Sequence, residues 1–375
     1  MKKPRKPHPD FPLTPHNCGK WCKKIKGRIH YFGTWDDPDA ALRLYLKQKD
    51  YLLAGEAPPK DEYDYTILDA CEDFYESRRR LYESGQLAAR TLADYDVLHR
   101  QLIQHFGRTR RVSSITREDW RRLRDLKQKR WGPKTLQNFI ARTKAVFSWC
   151  YQAGKISEPM QFGLGFKKPP KAAIRKARYA KPPREFTAEE LRQLLAVSSG
   201  QLHSMILLAI NGGLGQTDLA LLKFHNLDLQ RGWIDYPRPK TGIQRQFPLW
   251  PETVAALEQV VTQRKESADY PELVFLTRSG APWVRQNLAG SRSDAITLEF
   301  TKLKKKVGIS GYSKGFYAIR HTFRTVADEC YDQPAIMHVM GHGDDSMSGT
   351  YRERISAERL VAVTDYVRKW LFYGP

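Results

Sequence analysis

The sequence predicts a mainly α, multidomain chain of the α+β class, with small antiparallel sheets set among helices. Three observations carry that prediction. The chain has 375 residues, enough for two or three domains at roughly 100–200 residues each. Apolar residues recur at helical spacing over most of its length, whereas strand-like alternation is confined to short stretches. Its hydrophobic content of 41% supplies a core, yet no run approaches the ~18 apolar residues of a membrane span. The best candidate, Met205–Ile210, is far too short.

The basic opening around Lys2, Lys3, Arg5 and Lys6 leads into Pro-rich sequence rather than an apolar segment, so no signal peptide is predicted. Residues 1–60 read as a small sheet-plus-helix module. Trp21 to Ile25, a turn at Lys26-Gly27, and Arg28 to Trp35 suggest a hairpin. Asp36-Asp37-Pro38 then opens a helix reaching about Leu53, its acidic residues accounted for by capping. Trp21, Tyr31, Phe32 and Trp35 are assigned mostly to the core of this module, because a small sheet needs aromatics to build one. Residues 61–160 read as helical throughout. Ile67, Cys71, Phe74 and Tyr75 mark one helix, and Leu92, Tyr95, Leu98, Leu102 and Phe106 a second. Thr116 with Asp119 caps a third, and Thr135 to Trp149 forms the last.

Residues 161–185 read as an extended linker, since Pro169, Pro170, Pro182 and Pro183 fall in it without helical periodicity. Residues 186–375 form the last domain. Thr187-Ala-Glu-Glu190 is a capping box opening a helix with Leu191, Leu194 and Leu195 on one face, and more helix follows through Met205–Ala209. Leu227–Leu229, Trp233–Tyr236 and Arg245–Leu249 read as strands, with Lys240-Thr-Gly242 in a turn and Val274–Leu276 as a further strand. From Pro282 onward the chain reads as helical, broken at Gly308–Gly315 and Gly341–Gly349. Tyr366, Val367 and Trp370 to Phe372 give the last helix an apolar face suited to packing on its own domain.

Charge narrows the function. With 63 basic against 41 acidic residues the chain carries +22, which implies a polyanionic partner, DNA or RNA first. The excess is clustered. Lys23, Lys24, Lys26 and Arg28 lie on the first hairpin, and Lys167, Lys168, Lys171, Arg175, Lys176, Arg178, Lys181 and Arg184 crowd the linker with no acid among them. Such a linker fits along a phosphate backbone better than in bulk solvent, where its charges repel one another. Five scattered cysteines argue against a disulfide framework and for a reducing, cytoplasmic setting. Cys18 and Cys22, near His16 and His30, lack a second pair at metal-ligand spacing, so no metal site is predicted.

Chemistry concentrates in the last domain. Arg320 and His321 lie in Tyr317-Ala-Ile-Arg-His-Thr-Phe323, Gly341-His342 follows about twenty residues on, and Tyr351 is nine beyond His342. Taken singly, Arg320 reads as a helix-face ion-pair residue, His342 as a helix cap and Tyr351 as a surface aromatic. Together they match one chemistry. Breaking a phosphodiester without metal needs a nucleophile, which a phenol can supply, and cationic donors at the non-bridging oxygens. Arg320 presents a guanidinium fork that fits phosphate. His342 can hydrogen-bond a phosphoryl oxygen or handle a proton, and Lys240 can protonate a leaving hydroxyl.

At these residues the chain resembles the tyrosine recombinase, or phage-type integrase, family. Tyr317–Thr322, Met340-Gly-His342, the following Tyr351 and the Lys240 turn carry the resemblance. It implies a helical core-binding domain over 61–160, a catalytic domain over 186–375 and an arm-type DNA-binding module over 1–60. It further implies site-specific strand cleavage and rejoining through a 3′-phosphotyrosyl intermediate. Tyr351 would be the nucleophile, Arg320, His342 and Tyr317 donors to the phosphate, and Lys240 the general acid, with no nucleotide cofactor or metal needed. Its partners would be double-stranded DNA and, during recombination, three further copies in a tetramer, with a monomer allowed when the chain is free; it would be cytoplasmic and nucleoid-associated. One departure stands out. Gly213-Leu-Gly-Gln-Thr-Asp-Leu219 puts Gly215 where the family's first arginine normally stands. Losing one preorganised donor costs on the order of 10²–10³ in rate. The alternative is therefore a catalytically impaired or inactive relative that binds or regulates DNA. Arg324 and Arg245 are the candidate replacements. A topoisomerase with the same tyrosine chemistry and an architectural DNA-bending protein are further readings.

Overall fold

A computed structural model describes residues 3–56, 58, 65–286, 292–311, 313–343 and 351–374. The predicted boundary near residue 60 and most of the predicted break at Gly341–Gly349 lie outside those residues. The chain divides into two units, one of Met1–Phe74, His99–Lys129 and Ile140–Lys167, the other of Tyr75–Leu98, Arg130–Phe139 and Lys168–Pro375.

In the first unit, β1 (Thr14–His16), β2 (Lys20–Ile25) and β3 (Arg28–Thr34) form an antiparallel sheet in that order. The turn at Lys26-Gly27 is where the sequence placed it, and the strand before the hairpin is an addition, too short to show alternation. Helix α1 (Pro38–Ala54) starts behind Asp37, whose carboxylate accepts from Ala40 N. Trp21, Phe32, Ala41, Tyr45 and Leu52 are buried together, while Tyr31 is exposed and Trp35 only flanks the cluster. The helical region comprises α2 (Ile67–Glu83), α3 (Ala89–Phe106), α4 (Arg117–Gln128) and α5 (Pro133–Gln152). Thr116 and Asp119 close the predicted capping box on α4. Within this unit Trp120 is fully buried, with the rings of Phe106, Phe147, Phe162 and Phe166 between 4.9 and 5.2 Å away.

The second unit opens with a correction. The basic segment predicted to be extended contains helix α6 (Lys171–Tyr179). Its prolines flank the helix instead of interrupting it, Pro170 standing at the N-cap, and Ala172, Ala173 and Ala177 favour helix strongly enough to form two turns. Then come α7 (Ala188–Val197), α8 (Gly200–Gly212), α9 (Gln216–Ala220), the sheet β4 (Leu227–Asp228), β5 (Trp233–Asp235) and β6 (Gln246–Pro248), and α10 (Pro251–Gln263). Val274–Leu276 does not extend that sheet. These residues are buried, but only a bridge from Leu273 to Lys223 is formed. A second correction follows Pro282. Strands β7 (Val284–Gln286) and β8 (Arg292–Asp294) pair there, each too short to leave a period in the sequence. Helices α11 (Ala295–Lys306), α12 (Tyr317–Asp328), α13 (Gln333–Met340) and α14 (Ala357–Tyr373) complete the chain.

Buried α8 is the axis of this unit, with α10, α12 and α14 packed on it. Gly212 at its end lets β6 close in, because a Cβ there would stand 2.1 Å from the Phe247 ring. The apolar face of α14 packs on its own unit, where Leu360, Val363, Val367 and Leu371 are buried and Trp250 Nε1 donates to Thr364 O. Arg368 pairs with Glu252 at 2.7 Å in the same contact.

Candidate active site

The hydrophobic spacing of α12 buries Ile319, Phe323 and Val326, and the same register carries Arg320 inward until only 3% of it is exposed. Both terminal nitrogens of the Arg320 guanidinium are engaged. Nη1 donates to Gly213 O, and Nη2 donates both to Met340 O at 2.9 Å and to His342 Nε2 at 2.8 Å. A guanidinium can only donate, so His342 Nε2 accepts and the ring proton sits on Nδ1. Burial first, then the Arg320 and Arg238 charges, push the His342 pKa down to about 4, so the ring is neutral near pH 7. Burial and Arg238 likewise draw Arg320 down to about 10, still protonated at neutral pH.

His342 is aimed by the end of α13. Gly341 takes the left-handed conformation (φ 61°), its N–H bonds His338 O and that of His342 bonds Met337 O. This is the position where a helix end favours glycine. A Cβ on Gly341 would also stand 2.9 Å from the Arg238 side chain. Arg238 lies at the mouth of the turn between β5 and β6, where its amide bonds Ile243 O and its carbonyl accepts from Gly242 N. Its Nη1 donates to Gly341 O at 3.4 Å, and Thr241 Oγ1 reaches the same oxygen at 3.4 Å. Lys240 stands exposed on this turn, close enough for its charge to act on His342.

Below the turn is a buried ion pair. Asp218, at the third position of α9, accepts from Gly215 N at 2.9 Å and lies 3.5 Å from Arg245 Nη1. Arg245 is wholly buried, gives Nε to Tyr236 O at 2.9 Å and covers the Tyr236 ring at 4.7 Å; its Nη2 has no partner among the described residues. Burial lowers its pKa, partly offset by Asp218. Tyr317 closes the other side. A Cβ on Gly215 would lie 3.1 Å from its ring, so a side chain at 215 requires that ring to shift by a few tenths of an ångström.

The structure thus brings together Arg320 and His342, with Tyr317 and Lys240 near enough to act on them electrostatically. Tyr351 is 78% exposed and stands just beyond residues 344–350, which are outside the described set. It is not hydrogen-bonded to Arg320 or His342, whose partners are those given above. Of the basic residues singled out, Lys24, Lys26, Arg28, Lys167, Lys168, Lys171, Arg175, Lys176 and Arg178 are exposed, and Lys23 lies 4.9 Å over the Tyr45 ring. Arg324, one of the two candidate replacements, holds Nη1 2.6 Å from Asp328 as an ion pair, without a hydrogen bond among the described residues, and donates Nη2 to Gln333 at 2.6 Å. Sequence reasoning passed over Arg238 and Asp218. The alternation of Tyr236, Arg238 and Lys240 across the end of a strand was the signal for the first. Asp218 had none, because its role depends on a partner 27 residues away.

Residues 184–358 match the model of the phage integrase family. The tyrosine recombinase XerA of Pyrococcus horikoshii is 23% identical over 190 residues, which cover 48% of this chain and 62% of the relative, so the match spans under two thirds of that protein. Among solved structures, the Tn1549 transposon integrase in complex with a circular intermediate DNA aligns with a TM-score of 0.56 and 20% identity, covering 79% of this chain and 98% of the other. A lambda integrase tetramer bound to a Holliday junction aligns with a TM-score of 0.56 and 16% identity over 94% of this chain and 99% of the other. These structural likenesses establish the fold.

Proposed function

We propose, from the premise that residues 184–358 place this chain in the tyrosine recombinase (phage integrase) family, that it is a site-specific recombinase that cleaves and rejoins DNA strands. The observation that carries the reading is the Arg320–His342 pair. A buried guanidinium, fixed by two carbonyls and a neutral imidazole, is a preorganised binding point for a phosphoryl oxygen. In the reaction the Tyr351 phenol oxygen attacks phosphorus as its proton passes to water, to which the exposed side chain is open. A tyrosyl–phosphorus bond forms at the 3′ side and the bond to the 5′ oxygen breaks. Lys240 gives that oxygen a proton, leaving a 5′ hydroxyl. Arg320, His342 and Tyr317 hold the charge that builds on the non-bridging oxygens. The ester is exchanged and not hydrolysed, so rejoining reverses the same steps.

Residues 1–60 serve as an arm-type module, 61–160 as the core-binding domain, 161–185 as a basic linker along the backbone and 186–375 as the catalytic domain. Exchange between two duplexes calls for four copies on DNA, the arrangement of the lambda integrase tetramer on a Holliday junction. The protein would then work at the nucleoid. Gly215 favours a second reading, an impaired relative that holds DNA without cutting it. Incubation with nicked suicide substrates and denaturing gels separates the two. The recombinase forms a covalent adduct that Tyr351→Phe removes, a loss on the order of 10⁴ or more. Retention of DNA with no adduct on a broad substrate library would establish the binder.

A further inference from the structure

Beside the pair stands Arg238, which none of the motifs quoted above includes. Three consecutive residues, Met340, Gly341 and His342, are each gripped by a guanidinium. Arg320 takes Met340 O and the His342 ring, and Arg238 takes Gly341 O between them. The two guanidinium groups therefore flank one short stretch of backbone. Their hydrogen bonding differs sharply. Arg320 has a strong acceptor for each terminal nitrogen, whereas Arg238 makes a single long bond of 3.4 Å and buries Nε with no acceptor among the described residues. A buried N–H without an acceptor costs free energy that an incoming anion would recover.

We propose that Arg238 supplies the phosphate-binding guanidinium that Gly215 cannot, making it a catalytic residue of the cleavage step. The proposal rests on the strand-cleavage reading above. Arg324 Nη1 and Arg245 Nη2 also lack a hydrogen bond among the described residues, but Arg324 is ion-paired with Asp328 at 2.6 Å and donates to Gln333, and Arg245 is wholly enclosed between Asp218 and Tyr236. Arg238 comes instead from the Lys240 turn, the element that would deliver the general acid, and is only partly buried.

The test compares the parental chain, Arg238→Ala, and Gly215→Arg combined with Arg238→Ala. Adduct formation is followed in single turnover on a nicked suicide duplex, DNA retention by mobility shift and folding by thermal melting. Arg238→Ala should lose about 10²–10³ in adduct rate while retaining DNA and melting as the parent does, and the double variant should regain at least about tenfold. A parental rate in Arg238→Ala, a loss that merely follows weaker DNA retention, or a normally folded double variant with no recovery would overturn the assignment. A parental chain that forms no adduct overturns the cleavage reading itself, an outcome visible before any variant is made.

Discussion

Arg320 and Arg178 carry the same guanidinium, yet the second unit houses them in opposite ways. Arg320 is held by two carbonyls and an imidazole with 3% of its surface exposed. Arg178 projects from α6 into solvent beside Lys171, Arg175 and Lys176, all exposed. A fixed, desolvated cation adds little to diffuse attraction, but it meets developing charge without reorganising. A solvated cation is screened within about 8–10 Å at ordinary salt and acts mainly by displacing counterions from a polyanion. The buried group is therefore suited to rate and the helix to affinity.

That division can be broken from either side. The largest effect should come from Asp218→Ala, which leaves Arg245 charged, buried and unpaired. Removing one partner of such a pair typically costs about 3–5 kcal/mol, readable as a lower melting temperature or denaturant midpoint. An unchanged midpoint would mean that the pair is not what holds the buried charges in place. Next, Arg320→Ala should slow adduct formation by about 10²–10³ and leave the dependence of DNA binding on salt nearly as steep as before. If instead the slope collapsed, the buried cation would belong with the surface set.

The converse variant neutralises Lys171, Arg175, Lys176 and Arg178 to Gln. For every phosphate that is no longer neutralised, the log–log salt slope should fall by ~0.9, with the adduct rate at saturating protein little changed. A flat salt dependence in the parental chain would already refute a phosphate role for α6. The smallest effect concerns protons. The His342 pKa falls to about 4 in the folded chain, through burial and then Arg320, against about 6.5 for a free imidazole. The unfolded state thus binds the proton more readily. The stability this ring contributes is complete above about pH 6.5 and is lost as pH falls toward 4. His342→Gln should make melting less sensitive to pH in that window, and adduct formation should show no imidazole titration between pH 6 and 8. Parallel melting curves for the two proteins would mean that His342 is not held neutral by its surroundings.

Much of this was legible without coordinates. The caps at Asp37, Thr116 and Thr187 were readable because they act over three or four residues, and the candidates Arg320 and His342, which the fold brings into contact, because their spacing is itself the signal. The helix inside the basic linker was misread because prolines were taken as interruptions when they mark its ends. The β7–β8 pair escaped because three residues cannot display a period of two. Asp218 and Arg238 escaped for another reason, since each takes its meaning from a partner distant in sequence, Arg245 for the first and Gly341 for the second.

By itself the sequence determined the helical character, the large basic excess and the order of the candidate site residues, since hydrophobic period, net charge and spacing are properties of a line. Only the tertiary structure decided which cations are desolvated and which stay in water, that α14 lies against its own unit, and that a second guanidinium stands beside Arg320. Those outcomes depend on closeness in space, where burial and opposing charge reset the energy of every ionisable group.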